Sequence, residues 1–318
     1  MIIRLGMSLN IPTLDISQGF DSPALIEELS LACEQWGFFQ IIGHGIDPDL
    51  RSQFFTSVTK FFEMKKSEKV SLSRTQENFW GYYDKELTKN RLDKKEIFDI
   101  DANLDNLADP TINTPVPWPN SMPELESISK DWLHVCEVLN QQLLGAICLC
   151  LGESIEALNP FFIKQHSSFL RFNYYPALDS DDFNNSENLG IHPHTDAGAL
   201  TLLAHDIVPG LQVYKGDTWH TIIPIEDSFI VNIGDMIQVW SNDRFKAPLH
   251  RVLKSSVDPR YSAPYFYNPS YATICKPLLA NSSESVFNPV PWQEFRSGRA
   301  AGDYADQGEE IQISWYRK

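Results

Sequence analysis

Three side chains in this sequence could hold a metal ion between them: His194, Asp196 and, 54 positions beyond the aspartate, His250. Two imidazoles and one carboxylate are the donor set that holds non-haem Fe(II) on three positions and leaves the others for chemistry. The stretch from Gly190 to Leu203 alternates polar and apolar residues in places and is rich in small ones, as a strand and its turn would be. On a strand, side chains two apart share a face at about 6.6 Å between α-carbons, so His194 and Asp196 can converge on one ion. The distant histidine must then come from a neighbouring strand. His192 has the same parity, so spacing alone leaves open a His192/His194 pair with Asp196 outside the ligand set. A simple hydrogen-bonded polar pair is open as well.

A second cluster follows the last histidine. His250–Leu253 and Arg260–Phe266 both read as strands, and the Ser-Ser-Val-Asp-Pro run at 255–259 reads as a turn. Folded as a hairpin, they put Ser262 opposite His250, with Arg260 on the same face two places along. That arrangement aims a guanidinium and a hydroxyl at a small carboxylate beside the metal. The alternative for Arg260 is a solvated residue paired with Asp258.

The elements that must position these groups divide at a proline-rich connection, Pro110 to Pro123. Residues 1–122 read as a mixed α/β region: a strand at Ile11–Ile16, helices near Ser22–Gln35 and Asp47–Phe62, and a buried strand at Gly37–Ile42. Residues 123–318 read as a long helix to about Leu151, then short apolar or alternating runs. These are Phe169–Tyr175, Leu200–Ala204, Leu211–Tyr214, Trp219–Ile223, Phe229–Ile233, Met236–Trp240, His250–Leu253 and Tyr261–Phe266. Eight short strands at such spacing predict a double-stranded β-helix, or jelly roll, so the expected class is mixed α/β with a mainly β core and flanking helices, packed as one unit. Trp292–Arg299 looks helical, with no role visible in its composition.

Bulk properties narrow the function. With 42 acidic against 26 basic residues the net charge is −16, which repels a phosphate backbone and argues against nucleic acid. Five cysteines without a C-x-x-C pair argue against a disulfide framework and fit a reducing cytoplasm. No run is expected to reach the ~18 apolar residues of a membrane span, and Met1–Met7 is too short for a signal peptide. A small-molecule partner is therefore expected.

Several ordered motifs are similar to those of the Fe(II)/2-oxoglutarate-dependent dioxygenases of the isopenicillin N synthase-like family. They are Ile11-Pro-Thr-Leu-Asp15, the run from Ala32 to Ile46, Arg171-Phe-Asn-Tyr-Tyr-Pro176, His194-Thr-Asp196, Asn232-Ile-Gly-Asp235, Trp240-Ser-Asn242, His250-Arg-Val252 and Arg260-Tyr-Ser262. The resemblance spans nearly the whole chain. It implies Fe(II) on His194, Asp196 and His250 with His192 as a neighbour, 2-oxoglutarate as cosubstrate and O2 as oxidant. It also implies that Arg260 and Ser262 anchor the distal carboxylate of 2-oxoglutarate, with Tyr175 as a further donor and Asn173 near the chelating end. Asn232, Gly234, Asp235 and His44 match positions better read as structural.

The reaction this implies is hydroxylation, desaturation or ring closure of a small organic molecule, coupled to decarboxylation of 2-oxoglutarate to succinate and CO2. Two other readings compete: an iron oxidase of the same fold that uses no 2-oxoglutarate, and a jelly-roll binding module whose His/Asp set is inert. Substrate contacts are expected from Phe79 and Tyr82 in an aromatic, glycine-hinged segment, and from Gln238 and Phe266 by strand parity. Glu86, Lys89, Arg91 and Lys94 either meet a polar substrate or face water.

Overall fold

The computed structural model describes residues 10–20, 22–75, 77–104, 114–162, 166–178, 189–255, 257–278, 284–302 and 308–318. The readings of Met1–Met7, of Pro110 and of Ser256 lie outside these. In chain order the first half forms β1 (Thr13–Asp15), α1 (Pro23–Gln35), β2 (Phe38–Ile42), α2 (Pro48–Glu63), α3 (Lys66–Ser71), β3 (Gly81–Tyr83), β4 (Leu87–Thr88), β5 (Arg91–Leu92), β6 (Glu96–Asp101) and α4 (Glu124–Cys150). The second half forms β7 (Phe169–Tyr175), β8 (Leu189–His194), β9 (Leu200–His205), β10 (Leu211–Lys215), β11 (Thr218–Thr221), β12 (Phe229–Ile233), α5 (Asp235–Trp240), β13 (His250–Leu253), β14 (Arg260–Tyr267) and α6 (Trp292–Gly302).

Local chemistry explains the helices. Proline opens α2 where its missing N–H costs nothing, and the Asp47 carboxylate accepts from the Asp49 N–H at 2.9 Å to cap the first turn. On α4, Leu125, Ser129, Trp132, Cys136, Leu139, Leu143 and Ile147 recur every three or four residues and are buried. Phe54 of α2 stacks on Trp132, with ring centroids 4.2 Å apart. The expectation that no segment reaches the length of a membrane span is corrected: α4 is long and apolar enough by composition. However, 61% of its most apolar window is buried, and it packs on α1, α2, β9 and β14 as a core helix.

The strands form two layers. One sheet runs β1-β2-β12-β9-β14-β7-β6-β3 and the other β11-β10-β13-β8. Ile11, Phe38, Leu203, Leu211, Val213, Ile230 and Val252 form an apolar cluster that joins the two. Strands from both sides of residue 122 share the larger sheet, so no break separates the regions before and after it. Two element readings change. Met236–Trp240 is the helix α5 rather than a strand, because a short apolar run cannot by itself distinguish the two. His250–Leu253 and Arg260–Tyr267 are not a hairpin: β13 pairs with β10 and β8, whereas β14 pairs with β7 and β9 in the opposite sheet.

His205 at the end of β9 ties the fold to pH. Its Nδ1 lies 2.7 Å from the Asp206 carbonyl and its Nε2 3.3 Å from Ser228 Oγ, and burial pushes its pKa down to about 4. The unfolded chain protonates this ring first, near pH 6.5. The associated stability is therefore complete above that pH and is lost as pH falls towards 4, by at most about 3 kcal/mol. His205→Gln is expected to flatten the dependence of the urea midpoint on pH across that window. An unchanged slope would assign the acid sensitivity to other groups.

Candidate metal centre

Period-two alternation builds the site. Along β7 the odd residues Phe169, Arg171, Asn173 and Tyr175 line one cavity of about 160 Å³, and along β14 so do the even residues Arg260, Ser262, Pro264 and Phe266. The register sets Arg260 beside Tyr175, Ser262 beside Asn173 and Phe266 beside Phe169. The opposite sheet contributes Ile191 and His194 from β8, Leu211 from β10, and His250 and Val252 from β13. Arg260 and Ser262 thus reach the same cavity as His250, but by facing it across the sandwich rather than by pairing with it.

His194, Asp196 and His250 bring one ligand atom each to within 4.8 Å of one another. Asp196 Oδ1 is 3.7 Å from His194 Nε2 and 3.6 Å from His250 Nε2. His194 Nδ1 lies 2.8 Å from the His192 carbonyl and His250 Nδ1 lies 3.1 Å from the Pro248 carbonyl. Each Nδ1–H can donate there, which leaves both Nε2 lone pairs facing the carboxylate. Burial, then repulsion from His250, holds the His194 pKa well below the usual imidazole range, so the ring is in the neutral form that a ligand needs. For Asp196 burial acts in the opposite sense, but the neighbouring imidazoles and two hydrogen bonds outweigh it and hold the carboxyl ionised. Those bonds come from Thr201 Oγ1 at 2.5 Å and Asn232 Nδ2 at 2.8 Å, both onto Oδ2, leaving Oδ1 for an ion. The donor set therefore fits a divalent metal with open positions.

A register shift settles the position of His192. His250 pairs with His194 but Val252 pairs with Ile191, so β8 carries an extra residue between the two pairs. Pro193 lies in that bulge, tolerated because β8 is an edge strand. Strict alternation fails here, and the His192 ring turns to Asp93, with Nδ1 3.0 Å from Oδ1. Asp196 lies beyond β8, in the loop to β9. That loop needs Gly198: a Cβ there would sit 1.8 Å from Asn268 Oδ1. The Asp235 N–H, at the start of α5, donates to the Asp196 carbonyl at 2.8 Å and fixes the loop from the other side.

Arg260 is only 3% exposed, has no acidic group within ion-pair distance among the described residues, and donates to Ser262 Oγ at 3.3 Å. Its guanidinium lies over the Tyr175 ring, 5.2 Å from the centroid. Asn173 Oδ1 is buried without a partner. An unpaired buried cation is costly unless an anionic ligand arrives, and the Asn173 amide oxygen beside it awaits a donor.

Of the four residues expected to touch substrate, only Phe266 lines the cavity. Phe79 is 61% exposed and away from the cavity. The Tyr82 side chain is fully buried, its hydroxyl between Lys66 Nζ and Glu96 Oε2. Gln238 sits on α5, where its amide bonds Asp243 and the Ala247 N–H. Parity assumed for a strand cannot place a side chain on a helix. Tyr82→Phe is accordingly expected to leave uncoupled 2-oxoglutarate turnover within about twofold while lowering stability by about 1 kcal/mol. A large loss of turnover in a stable variant would restore Tyr82 to the site. Glu86, expected to meet a polar substrate or water, lines the cavity while its carboxylate is bonded to Arg171 and Lys95.

Three contacts escaped the sequence reading. Thr201 and Asn232, which hold Asp196, are register partners on β9 and β12. The available signal was a polar residue at the inward position of an otherwise apolar run. Arg299 of α6 donates to the Thr195 carbonyl at 2.6 Å, between two of the metal-site residues, and nothing local announced it.

A two-layered β fold that gathers two histidines and a carboxylate beside an anion pocket has the arrangement of a non-haem iron enzyme. Two family models match the chain: the 2OG-Fe(II) oxygenase superfamily over residues 166–269, and the N-terminal region of the non-haem dioxygenase in morphine synthesis over residues 11–125. Jasmonate-induced oxygenase 2 of Arabidopsis thaliana is 30% identical over 299 residues, covering 90% of this chain and 78% of its own length. The crystal structure of JOX2 in complex with 2OG, Fe and JA has a TM-score of 0.83 at 28% identity, over 97% of this chain and 89% of that one. A full-length Neurospora crassa protein, crystallised in complex with alpha-KG and thymine, has a TM-score of 0.82 at 26% identity, over 94% of this chain and 98% of that one. The chain belongs to the Fe(II)/2-oxoglutarate-dependent dioxygenases of the isopenicillin N synthase-like family. It is an oxidoreductase that uses Fe(II), 2-oxoglutarate and O2 to oxidise a small organic molecule, which sets aside the readings as a binding module and as a 2-oxoglutarate-independent oxidase.

Proposed function

We propose that His194, Asp196 and His250 hold the iron, that Arg260 and Ser262 anchor the distal carboxylate of 2-oxoglutarate, and that Tyr175 and Asn173 complete its pocket. The observation that carries this is the buried Arg260 guanidinium, unpaired by any acid among the described residues, in the cavity that also holds the His/Asp/His cluster. When bound, iron and 2-oxoglutarate supply the oxidation: with O2, decarboxylation to succinate and CO2 drives removal of hydrogen from a substrate carbon. The side chains position and shield. Carbonyl bonds to Nδ1 hold both imidazoles in the tautomer that offers Nε2, and Thr201 with Asn232 orients the carboxylate. Leu203, Leu211, Ile191 and Val252 exclude water from the cavity. Among the described lining residues the only carboxylates are Asp196 and Glu86, both already bonded, so no uncommitted acid or base stands ready.

The outcome on carbon is hydroxylation, desaturation or ring closure. Five free, buried thiols favour a reducing compartment, and we place the protein in the cytoplasm. Anaerobic titration with Fe(II) and 2-oxoglutarate tests the site assignment. A weak visible charge-transfer band is expected, discharged by O2 with release of succinate. A protein that binds iron but gives neither band nor succinate would sink the assignment.

A further inference from the structure

The cavity holds one more positive charge than the proposed iron and 2-oxoglutarate sites use. Arg171 is clamped by Asp99 at 2.7 and 2.8 Å and reaches Glu86 at 2.9 Å. Lys95 meets Glu86 at 2.6 Å and Asp93 at 3.2 Å, and Arg74 meets Asp99 at 2.9 Å. These three cations are matched by three carboxylates. Arg299 lies 3.9 Å from Asp235. On the proposed reading, Arg260 takes the distal carboxylate of 2-oxoglutarate, while Asp196 and the proximal carboxylate offset the iron. Arg296 of α6 is left over. It lines the same cavity, is half-buried, and has no hydrogen-bond or ion-pair partner among the described residues.

Arg296 packs on an aromatic surface, which the acid-paired Arg171 also flanks. The Arg296 guanidinium lies over the Phe169 ring, 5.4 Å from the centroid, and Phe169 stacks on Phe266 with centroids 4.6 Å apart. This aromatic pair stands on the same face of β7 and β14 as Asn173 and Ser262. A planar guanidinium with its hydrogen-bond donors uncommitted matches a carboxylate through two parallel bonds. In a chain of net charge −16, one surplus cation suits a monoanion and disfavours a polyanion.

We propose that Arg296, with Phe169 and Phe266, forms the substrate subsite, and that the substrate is a small organic acid bearing a single carboxylate on an apolar body. The acid group is held by α6 and the hydrocarbon lies along the phenylalanines, so the carbon to be oxidised is presented towards the metal cluster. This subsite rests on the proposed placement of iron and 2-oxoglutarate.

The test uses the anaerobic protein saturated with Fe(II) and 2-oxoglutarate. Benzoate, phenylacetate and 4-phenylbutanoate, each beside its primary amide, are titrated in turn, following the visible band and saturation-transfer NMR of the added compound. At least one acid is expected to shift the band without bleaching it and to bind about tenfold more tightly than its amide. Arg296→Gln should remove that preference, Arg296→Lys should keep part of it, and both should retain the 2-oxoglutarate band. Three results would overturn the proposal: amides that bind as well as acids, an Arg296→Gln protein that keeps its preference, or acids that act only by displacing 2-oxoglutarate. Absence of the band at the outset would instead strike the cosubstrate assignment, so the two failures are distinguishable.

Discussion

Asp196→Ala is expected to yield a folded protein whose Fe(II) affinity has fallen by more than about 100-fold and whose oxidation of 2-oxoglutarate is at background. Loss of partners around a ligand alone costs 10- to 100-fold, and removal of the ligand must exceed it. The carboxylate is the hub of the cluster, since both imidazole Nε2 atoms face its Oδ1. Thr201→Val, which removes one bond to Oδ2, should fall in the 10- to 100-fold range. His192→Ala should leave iron binding intact, because that ring is turned to Asp93. Anaerobic calorimetry with Fe(II), beside circular dichroism to verify the fold, separates the three. If His192→Ala loses iron and Asp196→Ala keeps it, the ligand set has been misassigned by one residue.

Arg260→Gln is expected to weaken 2-oxoglutarate binding by about 100-fold, corresponding to about 3 kcal/mol for a buried charge-assisted pair. Iron affinity should be unchanged. Arg260→Lys should recover only part, because a point charge cannot reproduce the two-pronged geometry, and Ser262→Ala should cost about fivefold. Stability should move the other way or not at all. A buried guanidinium with no acidic partner destabilises the ligand-free protein, so Arg260→Gln should melt at the same temperature or higher. Calorimetry with 2-oxoglutarate and thermal melts without it measure the two effects. Near-normal 2-oxoglutarate affinity in a well-folded Arg260→Gln protein would remove this residue from the pocket.

Strand parity alone points Phe266 into the cavity, whereas Asn173 and Tyr175 are legible only through the family resemblance and Ser262 through that resemblance and a hairpin that does not form. Asn173 and Tyr175, like Ser262 and Phe266, stand at alternate positions, and all of them reach the cavity. Where periodicity breaks, reading failed or reached the right place for the wrong reason. Bare spacing leaves His192 and Asp196 open, because the bulge that Pro193 marks breaks the parity on which spacing relies; only the family resemblance favours Asp196. A hairpin would put Arg260 beside His250, but the two strands belong to opposing sheets, and sheet membership is a long-range property. Strand parity points Gln238 at the cavity, but this residue stands on the helix α5. Aromatic character, the signal at Phe79 and Tyr82, does not distinguish a solvent-facing ring or a buried one from a ring lining a pocket. Arg296 and Arg299 went unnoticed because α6 reaches the cavity only in three dimensions, from the far end of the chain.

The pairing of β7 with β14 also bears on how such a protein can change over time. Along one ladder stand the proposed cosubstrate groups Arg260 and Tyr175, then Ser262 and Asn173, and at the far end Phe266 and Phe169. Six residues of strand separate the first rung from the last, about 20 Å, and substitutions that far apart act almost independently. The aromatic rung can therefore drift to suit new compounds without disturbing the oxidant. An enzyme built this way can acquire new substrates by small steps while its chemistry stays constant.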